Sequence, residues 1–204
     1  MYVKVCGITS LEDARLIAEL GVWALGFIFV PSSPRWVSPD TVREILKKTP
    51  SSFLSVGVFQ DLPWQEVKKI REFCSLDLVQ LHGEESPDCC QKLGKGVIKT
   101  FGVDENFRSD SVFEYQKVVD YYLFDTKKGR KSGGQGVPFD WTKIRNCRKV
   151  KPFLIGGGLN QENILACIFQ LSPFGVDLNS GVEIAPGKKD SQKVRQIVNK
   201  LNTI

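Results

Sequence analysis

The chain has 204 residues, of which 42% are hydrophobic and 25% charged, with a net charge of +5; these are the proportions of one ordinary globular domain. No apolar run reaches the ~18 residues of a membrane span, and the basic residues form no continuous stripe interleaved with aromatics, so neither a membrane nor a nucleic acid is expected as a partner. The six cysteines have no disulfide-framework spacing and His82 is the sole histidine, which argues against a metal site.

Eight short apolar runs read as strands, at residues 2–8, 24–30, 53–59, 78–82, 96–101, 121–126, 152–156 and 175–179. Their nearly continuous apolar character is that of parallel strands covered on the outside. The opening strand lacks the basic-then-apolar pattern of a secretory signal, which suggests cytoplasmic residence. Helical patterns lie between the strands. Residues 11–20 stop at Gly21, and Ser38-Pro39-Asp40 opens the next with a cap residue and a first-turn proline. Others cover 63–74, 86–93, 160–170 and 190–201, with weaker ones at 110–116 and 141–145. Strand and helix alternating in this way predict a single-domain (β/α)8 barrel of TIM type near its lower size limit. An open doubly wound sheet is the rival, but at this length it would rarely need eight strands. The glycine-rich stretch 127–138, with Lys127, Lys128, Arg130 and Lys131, reads as a lid.

In such a barrel the carboxyl ends of the strands share one face, where the reaction site forms. Cys6 ends the first strand before a glycine turn, and alternation puts Lys4 one layer beneath it. An ammonium there would lower the thiol pKa and favour thiolate. Asp125 ends the sixth strand after Tyr121-Tyr122-Leu123-Phe124, where a carboxyl in a buried mouth holds its proton. Two glycine turns, Gly156-Gly157-Gly158 and Asn179-Ser180-Gly181, follow the last two strands, a frequent place for phosphate. Arg35 faces the rim as a possible fork for a carboxylate. His82 and Asp177 end strands as well, either positioning substrate hydroxyls or joining a core hydrogen-bond network. Lys188 and Lys189, with the basic stretch after Asp125, fall next to the glycine turns and suit a small anionic substrate.

Together, Lys4-Val5-Cys6-Gly7-Ile8-Thr9, Gly26-Phe27-Ile28-Phe29 with Ser33-Pro34-Arg35, and Val79-Gln80-Leu81-His82-Gly83 resemble phosphoribosylanthranilate isomerase. So do Leu123-Phe124-Asp125-Thr126, Gly157-Gly158-Leu159-Asn160, and Val176-Asp177 through Ser180-Gly181-Val182-Glu183 with Pro186-Gly187-Lys188-Lys189-Asp190. The resemblance runs end to end, apart from residues 104–116. It implies an Amadori rearrangement in tryptophan biosynthesis on a phosphorylated small molecule, without cofactor or metal, by a monomer or homodimer. Residue by residue it implies Asp125 as general acid, Cys6 as general base and Arg35 against the anthranilate carboxylate. Gly157, Gly158, Asn179 and Ser180 would hold the phosphate, with Asp177 and His82 positioning substrate. Indole-glycerol-phosphate synthase-like chemistry would place lysine and glutamate where Cys6 and Asp125 stand, and a metal-dependent epimerase would need more histidine. A catalytically silent phosphate-ligand sensor would keep the turns without requiring both Cys6 and Asp125.

Overall fold

The computed structural model describes residues 1–50, 52–128, 131–132, 138–147 and 149–203. Eight strands form the central sheet: β1 (Tyr2–Cys6), β2 (Ala24–Ile28), β3 (Leu54–Phe59), β4 (Leu78–Leu81), β5 (Val97–Val103), β6 (Tyr121–Lys128), β7 (Phe153–Ile155) and β8 (Gly175–Leu178). Every neighbouring pair is parallel, β1 lies between β2 and β8, and β5 pairs with β6 to close the ring. The expected barrel is therefore what the chain forms.

Alternation divides the strand residues into two sets. Ala24, Val56, Leu78, Ile98, Leu123 and Leu154 meet inside the barrel as one apolar layer. Above it the interior turns polar with Lys4, Gln80, Thr100, Asp125 and Asp177. Outward-facing Val5, Leu25, Phe27, Val79, Leu81, Val97, Phe124, Ile155 and Leu178 pack beneath the helices in the main core, each large apolar side chain contributing roughly 1.5–3 kcal/mol. The lower end is covered by an aromatic group: Tyr2 stacks on Phe174 at 4.4 Å, and Trp23 meets both Phe174 and Tyr121 edge-on.

Helices α1 (Leu11–Ala18), α2 (Pro39–Lys48), α3 (Trp64–Cys74), α4 (Pro87–Leu93), α5 (Ile164–Leu171) and α6 (Ser191–Leu201) cover the outside. The anticipated cap at Ser38 forms, accepting from Thr41 N with Pro39 in the first turn, and Ser10 likewise caps α1 by accepting from Asp13 N. The weak helical patterns at 110–116 and 141–145 become 3-10 turns, Ser109–Tyr115 and Trp141–Ile144. Aromatic, β-branched and short polar residues there give little helix propensity, so one or two tight turns suffice to bridge the strands. The helix expected at 160–170 starts only at Ile164, because the Asn160 side chain accepts from Glu162 N and Asn163 N and folds the preceding residues into a turn. Strand β6 continues past the expected end at Thr126 to Lys128 and pairs antiparallel with Lys131–Ser132. The rest of the lid segment lies outside the described residues. A short hairpin, Glu183–Ala185 with Lys188–Lys189, follows β8 and was not legible as strand. Among the described residues no helix is long and apolar enough to cross a membrane.

Candidate active site

A cavity of about 470 Å3 opens at the carboxyl end of the barrel, within the usual range for small-molecule sites. Cys6, His82, Asp125, Gly157, Gly158, Asp177, Asn179, Ser180 and Arg35 all line it, so the structure brings the residues given a catalytic, binding or positioning role to one place. Gly181 of the second glycine turn lines it too, as do Ser32, Ser33, Gln60 and Gln80, which had been given no role.

Lys4 and Asp177 occupy paired positions of β1 and β8, both facing inward. The ammonium reaches Asp177 Oδ1 at 2.8 Å and is fully buried. Burial alone would lower the Lys4 pKa, but Asp177 and the neighbouring Cys6 raise it above its ordinary value, so the ammonium stays charged. The Cys6 thiol shows the opposite balance. Burial pushes its pKa up, and the charges of Lys4 and Lys189, which pull it down, do not compensate. The thiolate expected from the lysine beneath it is therefore not the resting form. The reason is desolvation, which disfavours any charged form in a dry interior.

Asp125 is buried at the mouth of β6. Its Oδ1 accepts from Thr126 N at 2.7 Å, while Oδ2 faces His82 Nε2 at 3.6 Å. Burial, then the nearby Asp177 charge, raise its pKa to about 7. His82 is lowered to about 4, by burial and then by the Lys4 and Lys99 charges, and is neutral near pH 7. Gln80 Nε2 donates to His82 Nδ1 at 3.2 Å and to Thr100 Oγ1 at 3.1 Å. An amide nitrogen can only donate, so His82 Nδ1 accepts and the ring proton sits on Nε2, toward Asp125. The imidazole thus belongs to a hydrogen-bond network and to the cavity wall at once. Gln80 could have been found from the sequence: it is the polar residue between Leu78 and His82 on the inward alternation of β4.

The glycine turns close the other side. Gly157 and Gly158 have φ of +78° and +70°, a region open to glycine and costly for other residues. A Cβ on Gly157 would lie 2.6 Å from Asp125 Oδ1, so the turn's closeness to the carboxyl depends on glycine. Asn163 Nδ2 holds Gly158 O at 2.8 Å. After β8, Ser180–Val182 forms a single 3-10 turn.

Arg35 is on the rim, as expected, but it already has a carboxylate partner in Glu183. Arg35 Nε lies 2.9 Å from Glu183 Oε1 and Nη2 lies 2.6 Å from Oε2. Lys189 is buried, 2.7 Å from Glu183 Oε1 and 2.9 Å from Asn179 Oδ1. Burial works against the Glu183 charge, yet Arg35 and Lys189 hold its pKa below the ordinary value. Of the other basic residues expected near the turns, Lys188 is exposed and Lys127 lies off the cavity wall, 3.5 Å from Glu84, while Arg130 is outside the described residues.

Residues 3–200 match the family model for N-(5'-phosphoribosyl)anthranilate (PRA) isomerase. A curated N-(5'-phosphoribosyl)anthranilate isomerase from Geotalea uraniireducens is 40% identical over 196 residues, covering 96% of each chain. The crystal structure of phosphoribosyl anthranilate isomerase from Thermotoga maritima superposes with a TM-score of 0.90 at 35% identity, with full coverage of both chains. Another structure of this enzyme, in complex with reduced 1-(o-carboxyphenylamino)-1-deoxyribulose 5-phosphate, matches at TM-score 0.87 and 34% identity over the full length of both chains. With its closed barrel, its rim cavity and likeness along nearly the whole sequence, the chain belongs to the phosphoribosylanthranilate isomerase family, an isomerase family of tryptophan biosynthesis.

Proposed function

We propose that this chain converts N-(5-phosphoribosyl)anthranilate to 1-(2-carboxyphenylamino)-1-deoxyribulose 5-phosphate, with Asp125 as general acid and Cys6 as general base. The observation that carries this reading is the presence, in one cavity, of a carboxyl whose pKa is about 7 and a thiol flanked by two buried cations. Asp125 protonates the furanose ring oxygen. The anthranilate nitrogen lone pair then moves in to form C1′=N as the C1′–O bond breaks. The Cys6 thiolate takes the proton from C2′, and the C2′–H electrons pass into C1′=C2′ while the C1′=N pair returns to nitrogen. The resulting enolamine becomes the ketone when C1′ gains a proton and the C2′ hydroxyl loses one. Each proton transfer by a positioned group is typically worth ~10²–10⁴-fold in rate.

Gly157, Gly158, Asn179 and Ser180 would hold the phosphate, and Arg35 the anthranilate carboxylate, with Asp177 beside the sugar hydroxyls. Gripping both ends puts the sugar carbons between the acid and the base. A relative from Thermotoga maritima is dimeric. Since one chain supplies every residue of this site, the same chemistry is available to a monomer or a homodimer. The test is turnover of phosphoribosylanthranilate by the purified protein, followed as loss of anthranilate-type fluorescence. Turnover supports the reading; a protein that binds the substrate or its reduced product analogue without converting it would be the silent sensor.

A further inference from the structure

We propose that Glu183 is a positioning residue that aims Arg35: its carboxylate occupies the Nε edge of the guanidinium and turns the Nη edge toward the carboxylate end of the substrate. This rests on the reading of Arg35 given above.

A guanidinium offers a carboxylate two two-pronged edges, one made by Nε and Nη2, the other by Nη1 and Nη2. Glu183 takes the first, at 2.9 Å to Nε and 2.6 Å to Nη2. Arg35 lines the cavity, whereas Glu183 lies behind it, off the wall. The edge that remains is the one that can meet a ligand. Glu183 is itself held in place. Its Oε1 accepts from Lys189 Nζ at 2.7 Å and from Gly187 N at 3.2 Å. Lys189 N is tied to Asp13 Oδ2 at 3.0 Å, and Lys189 Nζ continues to Asn179 in the phosphate turn at 2.9 Å. In direct side-chain contact two cations, Arg35 and Lys189, share the one Glu183 carboxylate. Gly7, beside Cys6, makes room for the cluster: a Cβ there would lie 2.8 Å from Arg35 Cδ and 2.9 Å from Asn179 Oδ1.

The same contacts admit an opposite role, in which Glu183 competes with substrate for Arg35, and the two differ in sign. The probes are reduced 1-(o-carboxyphenylamino)-1-deoxyribulose 5-phosphate and its counterpart without the ring carboxyl, titrated calorimetrically against the parent, Glu183→Gln and Glu183→Asp. Aiming predicts that Glu183→Gln weakens the carboxylated probe about tenfold or more and the other probe far less. KM for the substrate should rise in step while kcat changes little, and Glu183→Asp should fall between parent and Gln. Tighter binding of the carboxylated probe by Glu183→Gln would show competition and overturn the proposal. Equal losses on both probes would show general disruption and overturn it too. If Glu183→Gln does not fold, Glu183→Asp alone carries the test, because only aiming makes its loss specific to the carboxylated probe. A parent that binds neither probe defeats the reading of the site itself, before Glu183 is at issue.

Discussion

Lys4 and Asp177 face each other across the β1–β8 register, 2.8 Å apart inside the barrel and beneath the Cys6 thiol. The pair ties the first strand to the last, and it sets a positive charge under the proposed base. Removing one partner of a buried pair leaves an uncompensated charge, at a cost of about 3–5 kcal/mol. Lys4→Met should therefore lower the melting temperature markedly, and Lys4→Met with Asp177→Asn should recover part of the loss. If the folded double variant alkylates Cys6 at the rate of Asp177→Asn at neutral pH, Lys4 has no electrostatic effect on the thiol, because Asp177, which pushes the Cys6 pKa up, is absent from both. The account expects slower alkylation, since the Lys4 charge is a force holding the Cys6 pKa down.

The two groups proposed to move protons have inverted proton affinities. Asp125 titrates at about 7 and Cys6 above its ordinary 9.0, yet the acid must carry a proton and the base must not. The reactive form is thus the minor tautomer of a site holding one proton between two groups. Its population is constant while one proton is shared and falls once a second is added or the last removed. A plot of kcat/KM against pH should rise through about 7, stay level, and fall above 9. An acid limb near 4 would mean that Asp125 is not buried as described.

Burial of Asp125 should also cost stability. Its pKa is about 7 in the folded protein against an ordinary 3.8, so the folded state binds this proton more tightly than the unfolded chain. The stabilising contribution is complete below pH ~4 and lost as pH climbs through 7. About three pH units correspond to an upper bound on the order of 4 kcal/mol. Asp125→Asn, which cannot ionise, should gain in melting temperature relative to the parent between pH 4 and pH 8. A difference that stays flat with pH would contradict the raised pKa.

Neighbouring glycines should affect different kinetic constants. An alanine Cβ at Gly157 would press on Asp125 Oδ1, so Gly157→Ala should lower kcat. Gly158 lines the cavity with φ of +70°. A bulky residue there, such as Gly158→Val, should raise KM and weaken inorganic phosphate binding, because a side chain obstructs the backbone's approach to the anion. Unchanged phosphate binding by Gly158→Val would place the grip elsewhere.

Strand positions were legible because each buried strand is one short apolar run ending in a polar residue, as Leu123-Phe124-Asp125 shows. The inward set followed from alternation alone, which placed Lys4 beneath Cys6, whereas its meeting with Asp177 depends on the pairing of β1 with β8. The fifth and sixth connections were not legible: their segments pack a few aromatics, such as Tyr115 against Phe101 at 5.3 Å, through single turns that leave no helical period. The protonation state of Cys6 was not legible either, because a sequence shows which charges are near but not how much water is excluded. Glu183 and Lys189 stood in the quoted run Ser180 to Asp190, but their meeting with Arg35 depends on a hairpin of two short strands whose pairing no local pattern announces.

The central claim is that Cys6 and Asp125 move the protons. Turnover of phosphoribosylanthranilate, followed by fluorescence in the parent, Cys6→Ala and Asp125→Asn, tests it most directly when paired with titration of the reduced product analogue. The account predicts that each variant loses at least ~10²-fold in kcat while binding the analogue nearly as the parent does, since proton transfer acts in the transition state. Near-normal kcat in either variant would contradict it.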